Sequence, residues 1–186
     1  MSPWLAHLPV MPVVIPLFAG ALMLFVQDSP RTRAALAIGA VLAHLTVAGI
    51  LLYLTTDAVT DIWPDGIGVY SIGKWPAPFG IVLVVDRLSA LMLVLTGTVA
   101  SSALLYSLAR WDRVGVHYHP LFQLQLMGLN GAFLTGDLFN LFVFVEVVLA
   151  ASYGLLLHGS GAPRVKAGLH YIVVNLVASL LFLIGV

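Results

Sequence analysis

Long apolar runs alternate with short polar breaks along this chain, and the runs are of bilayer length. A hydrocarbon core of ~30 Å takes about 20 helical residues. On that measure the pattern predicts six helical spans, at residues 4–26, 34–54, 81–109, 120–135, 137–157 and 167–186. A membrane barrel would show shorter segments of alternating polarity. The expected fold class is therefore an all-α membrane protein, a single multi-pass domain over 1–186. Pro9, Pro12 and Pro16 fall in the first span. Prolines are tolerated there when neighbours satisfy the freed carbonyls, so a kinked or late-starting helix is expected. The one long polar connection, Thr55–Gly80, carries Asp57, Asp61 and Asp65, then GIGVYSIG over 66–73, then Pro76 and Pro78. Short β-branched and aromatic pieces between glycines predict a small surface hairpin between the second and third spans.

Composition agrees with the pattern. Only 9% of residues are charged, against about 25% in soluble domains. A net charge of zero and the lack of any Lys/Arg cluster give no nucleic-acid footprint. Without cysteine there are no disulfides or thiolate metal sites. No basic residue precedes the first run and no small-residue cleavage site follows it, so it is expected to be a retained span and not a signal peptide.

The charges orient the chain. Arg31 and Arg33, Arg110 and Arg113, and Arg164 and Lys166 fall in alternate loops, while Lys74 and Arg87 share the opposite side with most of the acids. The positive-inside rule places the N-terminus outside and the loops after spans one, three and five in the cytoplasm.

Glu146 is the leading candidate for chemistry, because it lies near the middle of the apolar run Gly136–Leu157. An ionised carboxylate facing lipid at that depth costs on the order of 2.5 kcal/mol or more. Such a group faces a protein interior or a wet cavity, where it suits proton relay; the bland alternative is a permanently protonated structural hydrogen-bond donor. His44, mid-way along the second span, reads equally as a proton shuttle or as a satisfied interhelical hydrogen-bonder. Asn175 lies mid-way along the sixth span, near Tyr171 and Ser179. Gln123, Gln125 and Asn130 on the fourth span, with Thr96, Thr98, Ser101 and Ser102 on the third, read as a water file or as helix–helix glue. Lys166 and His170, one turn apart at the cytoplasmic start of the sixth span, feed a proton path or simply anchor the helix. Asp86 and Arg87 read as a structural interfacial charge pair. No phosphate loop, nucleophile–base pattern or metal-ligand spacing occurs, and His117 and His119 are too weak a pair for a metal. No cofactor is implied.

Two stretches, GKWPAPFGIVLVVDRLSALMLVL (73–95) and LTGDLFNLFVFVEVVLAASYGLL (134–156), resemble the D subunit of the multisubunit monovalent cation/proton antiporters of the Mrp/Mnh/Pha type. The resemblance continues through LHYIVVNLVASLLFLIGV (169–186). It implies exchange of Na+ or another monovalent cation for protons, within a hetero-oligomeric complex in the bacterial inner membrane. It also implies that Glu146 is the essential acid, working with a lysine on a broken seventh span. The wider superfamily includes the antiporter-like subunits of respiratory complex I. Family subunits have about fourteen spans built around inverted repeats, so this chain is expected to be the N-terminal part of a longer subunit. Two other readings remain: a proton-translocating subunit of complex I or a membrane-bound hydrogenase, and a non-transporting membrane scaffold.

Overall fold

The computed structural model describes residues 5–26, 29–56, 62–63, 65–74, 80–159 and 161–186. Of the predicted polar connection, Asp57, Asp61, Pro76 and Pro78 lie outside the described residues.

The first helix starts late, as its prolines require. A 3₁₀ segment, Leu5–Val10, leads into α1 (Met11–Phe25), with Pro12 in its first turn and Pro16 inside it. Helix α2 (Pro30–Leu54) opens with Pro30 in its first turn, where the missing N–H costs nothing. The Ser29 hydroxyl caps it by accepting the Thr32 N–H at 3.4 Å.

The predicted hairpin exists, but its second strand corrects a span boundary. Strand β1 (Gly68–Ser71) pairs antiparallel with β2 (Val82–Val85), in a register that sets Gly68 against Val85 and Ser71 against Val82. The run Val82-Leu83-Val84-Val85, read in sequence as the opening of the third span, is β-branched enough to extend as a strand. Helix α3 (Arg87–Ser107) begins only after it. The start is fixed by a capping box: the Asp86 carboxylate accepts the Ser89 N–H at 2.7 Å, and Ser89 Oγ accepts the Asp86 N–H at 2.9 Å. Asp86 thus spends its charge on the cap, and no ion pair joins it to Arg87 among the described residues.

The bond from the Ser89 N–H holds the Asp86 carboxyl below the ordinary carboxylate range. Its stabilising effect is full above the unfolded value of about 4 and is lost as pH falls through the depressed folded value. Asp86→Ala should therefore cost about 1 kcal/mol at neutral pH. Melting the detergent-solubilised protein from neutral to acid pH should show the gap to wild type closing on the acid side.

Helices α4 (Tyr118–Leu134), α5 (Leu138–Leu156) and α6 (Ala162–Gly185) complete the fold. Five helices are long and apolar enough to cross a membrane: the first with its 3₁₀ lead-in, α2, α3, α5 and α6. Helix α4 has 17 residues, is about 25 Å long, and carries buried Gln123 and Asn130. It sits between α1 and α5; α2 bridges α1 and α3, and α6 rests on α5. One apolar cluster, including Leu51, Leu54, Trp63, Leu83 and Leu134, seats the hairpin on the helix ends. A second, including Met23, Ala37, Val41, Leu104 and Leu126, fills the opposite half of the bundle.

Candidate functional site

Glu146 is positioned by how α5 starts and what it leans on. Asp137 caps α5 by accepting the Asn140 N–H at 2.7 Å, which ends the turn at Gly136-Asp137. The turn itself is tied to the hairpin: Gly136 N–H donates to Val82 O at 2.8 Å, and Thr135 forms a β-bridge with Leu83. Along its length α5 lies close on α4, because α4 offers glycines there. A Cβ on Gly131 would stand 2.2 Å from the Phe144 ring, and one on Gly128 would stand 2.7 Å from Val148 Cγ2. Small residues at helix contacts allow this approach.

Phe144 and Val148 stand two residues before and two after Glu146. At 3.6 residues per turn, the glutamate therefore leaves the face of α5 opposite α4. It is half-buried, and its Oε1 is closed to solvent with no hydrogen-bond partner among the described residues. Beside it, Phe142, Val145 and Leu149 join Asn175, Ser179 and Phe182 of α6 around a cavity of about 240 Å³. Phe142 stacks on Phe182 with centroids 6.2 Å apart, and Tyr153 meets Tyr171 edge-on at 5.7 Å.

The other candidates divide by place. Asn175 shares that cavity wall, although its amide donates to Tyr171 O at 2.8 Å on its own helix. Lys166 and His170 are exposed on the first turns of α6, and the His170 Nδ1–H donates to Lys166 O at 3.0 Å. Lys166 stands about 13 Å and His170 about 7.5 Å along the helix from Asn175, so the fold does not gather them with Glu146. On α3 the hydroxyls of Thr96, Thr98, Ser101 and Ser102 all donate to carbonyls one turn back.

His44 lies elsewhere, fully buried among α1, α2, α3 and α4. Its Nε2 is 3.1 Å from Leu93 O and its Nδ1 is 3.2 Å from Asn130 Nδ2. A carbonyl can only accept, so Nε2 carries the proton and Nδ1 accepts from the amide. The second amide proton of Asn130 goes to Pro12 O at 2.7 Å. That carbonyl is free because Pro16, one turn on, has no N–H to give it. Gly97 makes room for the ring: a Cβ there would stand 2.9 Å from His44 Cδ2. The imidazole is thus a satisfied joint between four elements. Asn130→Leu strips the donors from two buried groups and should lower stability by about 2 kcal/mol. Adding His44→Leu should recover part of that loss, as read by thermal melting.

A polar cluster at the arginine-bearing ends of the bundle was not legible in the sequence. Arg33 is buried and its guanidinium donates to Val116 O. Buried Asp112 places Oδ2 3.5 Å from Nε2 of buried His119. His119, read as a loop residue, occupies the first turn of α4. Among the described residues no group of three or more His, Asp or Glu gathers as for a metal.

Helices of spanning length, a 3₁₀ lead-in to the first of them and one acid near the middle of apolar α5 define a polytopic helical membrane protein. No family model matches the chain. Along its whole length it is homologous to the D subunit of the monovalent cation/proton antiporters, over the N-terminal part of those longer proteins. It is 58% identical to the probable K(+)/H(+) antiporter D subunit of Rhizobium meliloti, with 100% of this chain and 34% of that protein aligned. It is 39% identical to the Na(+)/H(+) antiporter D subunit of Alkalihalophilus pseudofirmus, over 97% of this chain and 36% of the relative. Among solved structures, a chain of the Mrp complex from Dietzia superposes with a TM-score of 0.86 at 33% identity, covering 100% of this chain and 34% of the other. A chain of the archaeal membrane-bound sulfane sulfur reductase gives a TM-score of 0.78 at 25% identity, over 97% and 36%. The chain thus spans about a third of the length of the relatives it matches.

Proposed function

We propose that this chain is part of a membrane subunit of a multisubunit antiporter that exchanges Na+ or another monovalent cation for protons. It works in the bacterial cell membrane with its N-terminus outside, alongside other subunits of the complex, as a transporter component and not a catalyst of covalent chemistry. Glu146 relays the proton. The observation that carries this reading is the half-buried carboxyl near the middle of α5, with an oxygen that no described group satisfies. A buried polar atom in that condition calls for an explanation, and an exchangeable proton supplies one. Asn175 is the nearest weaker candidate on that path, since it borders the cavity beside α5. His44, Lys166 and His170 stand apart from it.

A second reading is supported by the likeness to the sulfane sulfur reductase chain: a proton-translocating subunit coupled to electron transfer. One measurement separates the two. In everted vesicles bearing the full-length complex, a preformed proton gradient should collapse on adding Na+ or K+. If no monovalent cation dissipates it, while a respiratory electron donor and acceptor drive proton movement, the antiporter reading fails and the second stands.

A further inference from the structure

A groove of about 530 Å³ runs between α3 and α4, and Glu146 is not among the residues that line it. Leu95, Val99 and Ala103 form one wall; Phe122, Leu129 and Phe133 form the other. Sites for small molecules have this size, about 300–1,000 Å³, with apolar walls and few polar groups. Here the polar groups within the walls are Thr96, whose hydroxyl is spent on Met92 O, and Gln125. On α4 the lining extends from Tyr118 to Phe133, about 22 Å at helical rise. That exceeds the ~15 Å that one leaflet contributes to the hydrocarbon core.

The ends of the groove differ in charge. Trp111 and Tyr118 frame the mouth at the loop between α3 and α4. Exposed Arg110 precedes Trp111, and the Arg164 guanidinium lies over the Trp111 ring, 5.1 Å from its centroid. Arg164 also donates to His158 O, which holds it at this corner. The acid of the same loop, Asp112, is buried against His119 and does not oppose an anion at the mouth. The mouth is therefore cationic and aromatic, at the side where positive loops place the cytoplasm. An apolar trough ending in a cationic, aromatic mouth matches the two parts of an anionic lipid, its acyl chain and its headgroup. Basic pockets between helices on the cytoplasmic side recognise anionic headgroups in this way.

We propose that the groove seats an acyl chain of an anionic phospholipid, with its headgroup held by Arg110 and Arg164 beside Trp111. The site rests on the membrane orientation given above and not on the proton relay.

The test uses the full-length complex in nanodiscs, with tracer phosphatidylglycerol or phosphatidylcholine carrying the same photoactivatable acyl chain. Peptides holding Val99 and Phe122 should be labelled about fivefold more by the anionic lipid, the scale set by one arginine near a membrane surface. Arg110→Gln with Arg164→Gln should abolish that preference, whereas Arg31→Gln, an exposed arginine at the start of α2, should leave it intact. Ala103→Trp should block labelling by both lipids. Equal labelling by the two lipids in wild type would reduce the groove to ordinary annular contact and overturn the proposal. So would absence of labelling because a protein helix occupies it. Should the double arginine variant fail to assemble, the wild-type ratio decides alone. Glu146→Gln should not change the labelling, so failure of the relay and failure of this site are separable.

Discussion

Cation-driven proton exchange should fall about a hundredfold or more in a Glu146→Gln complex, the scale on which a positioned proton-transferring side chain acts. Glutamine keeps the length and nearly the volume of glutamate, so the contacts around Phe142 and Leu149 should survive and the complex should still assemble. What is lost is the capacity to bind and release a proton at that depth. Glu146→Asp keeps the chemistry with a shorter arm and should return part of the rate. The measurement is cation-dependent collapse of a proton gradient in everted vesicles, normalised to assembled complex on native gels. A wild-type rate in Glu146→Gln would discard the relay. Failure of that variant to assemble would favour the scaffold reading instead.

The second large effect is structural. Gly131→Val should push α5 off α4, since even a Cβ at that position meets the Phe144 ring at 2.2 Å. Overpacking a tight contact costs about 1–3 kcal/mol, occasionally more, and the upper end is expected here because the obstacle is a ring bedded between helices. Assembled complex should drop several-fold, and exchange with it. Phe144→Ala in the same chain should restore part of the assembly by vacating the space, a coupling that a double-mutant cycle reads directly. If Gly131→Val assembles and melts like wild type, the two helices do not touch as closely as described.

What the sequence made legible follows from what its signals measure. Hydropathy reports apolar length, so the helices from α1 to α6 were visible together with the isolated acid on α5. The same index cannot tell a buried strand from the start of a helix, and residues 82–85 were therefore read into the third span. Only Asp86 and Ser89, three residues apart, marked the true start, as a capping box. Of the polar residues, Asn130 and His44 could be flagged as glue or path, but their meeting needed the fold. It depends on a carbonyl freed by Pro16 on α1, more than a hundred residues from Asn130. Arg33 and His119 were harder still. In a chain of this kind charged residues near span ends belong by default to the surface, and nothing local announces that a neighbouring loop will cover them.

The bonds between the hairpin and the turn before α5 have a mechanical corollary. With Gly136 fastened to Val82 and Thr135 to Leu83, the N-terminal tip of α5 is pinned to the ribbon. Any rocking of that rod must grow with distance from the pivot, so Leu156 sweeps widest and the carboxyl half-way along travels about half as far. The two-stranded ribbon thereby sets which end of the rod is anchored.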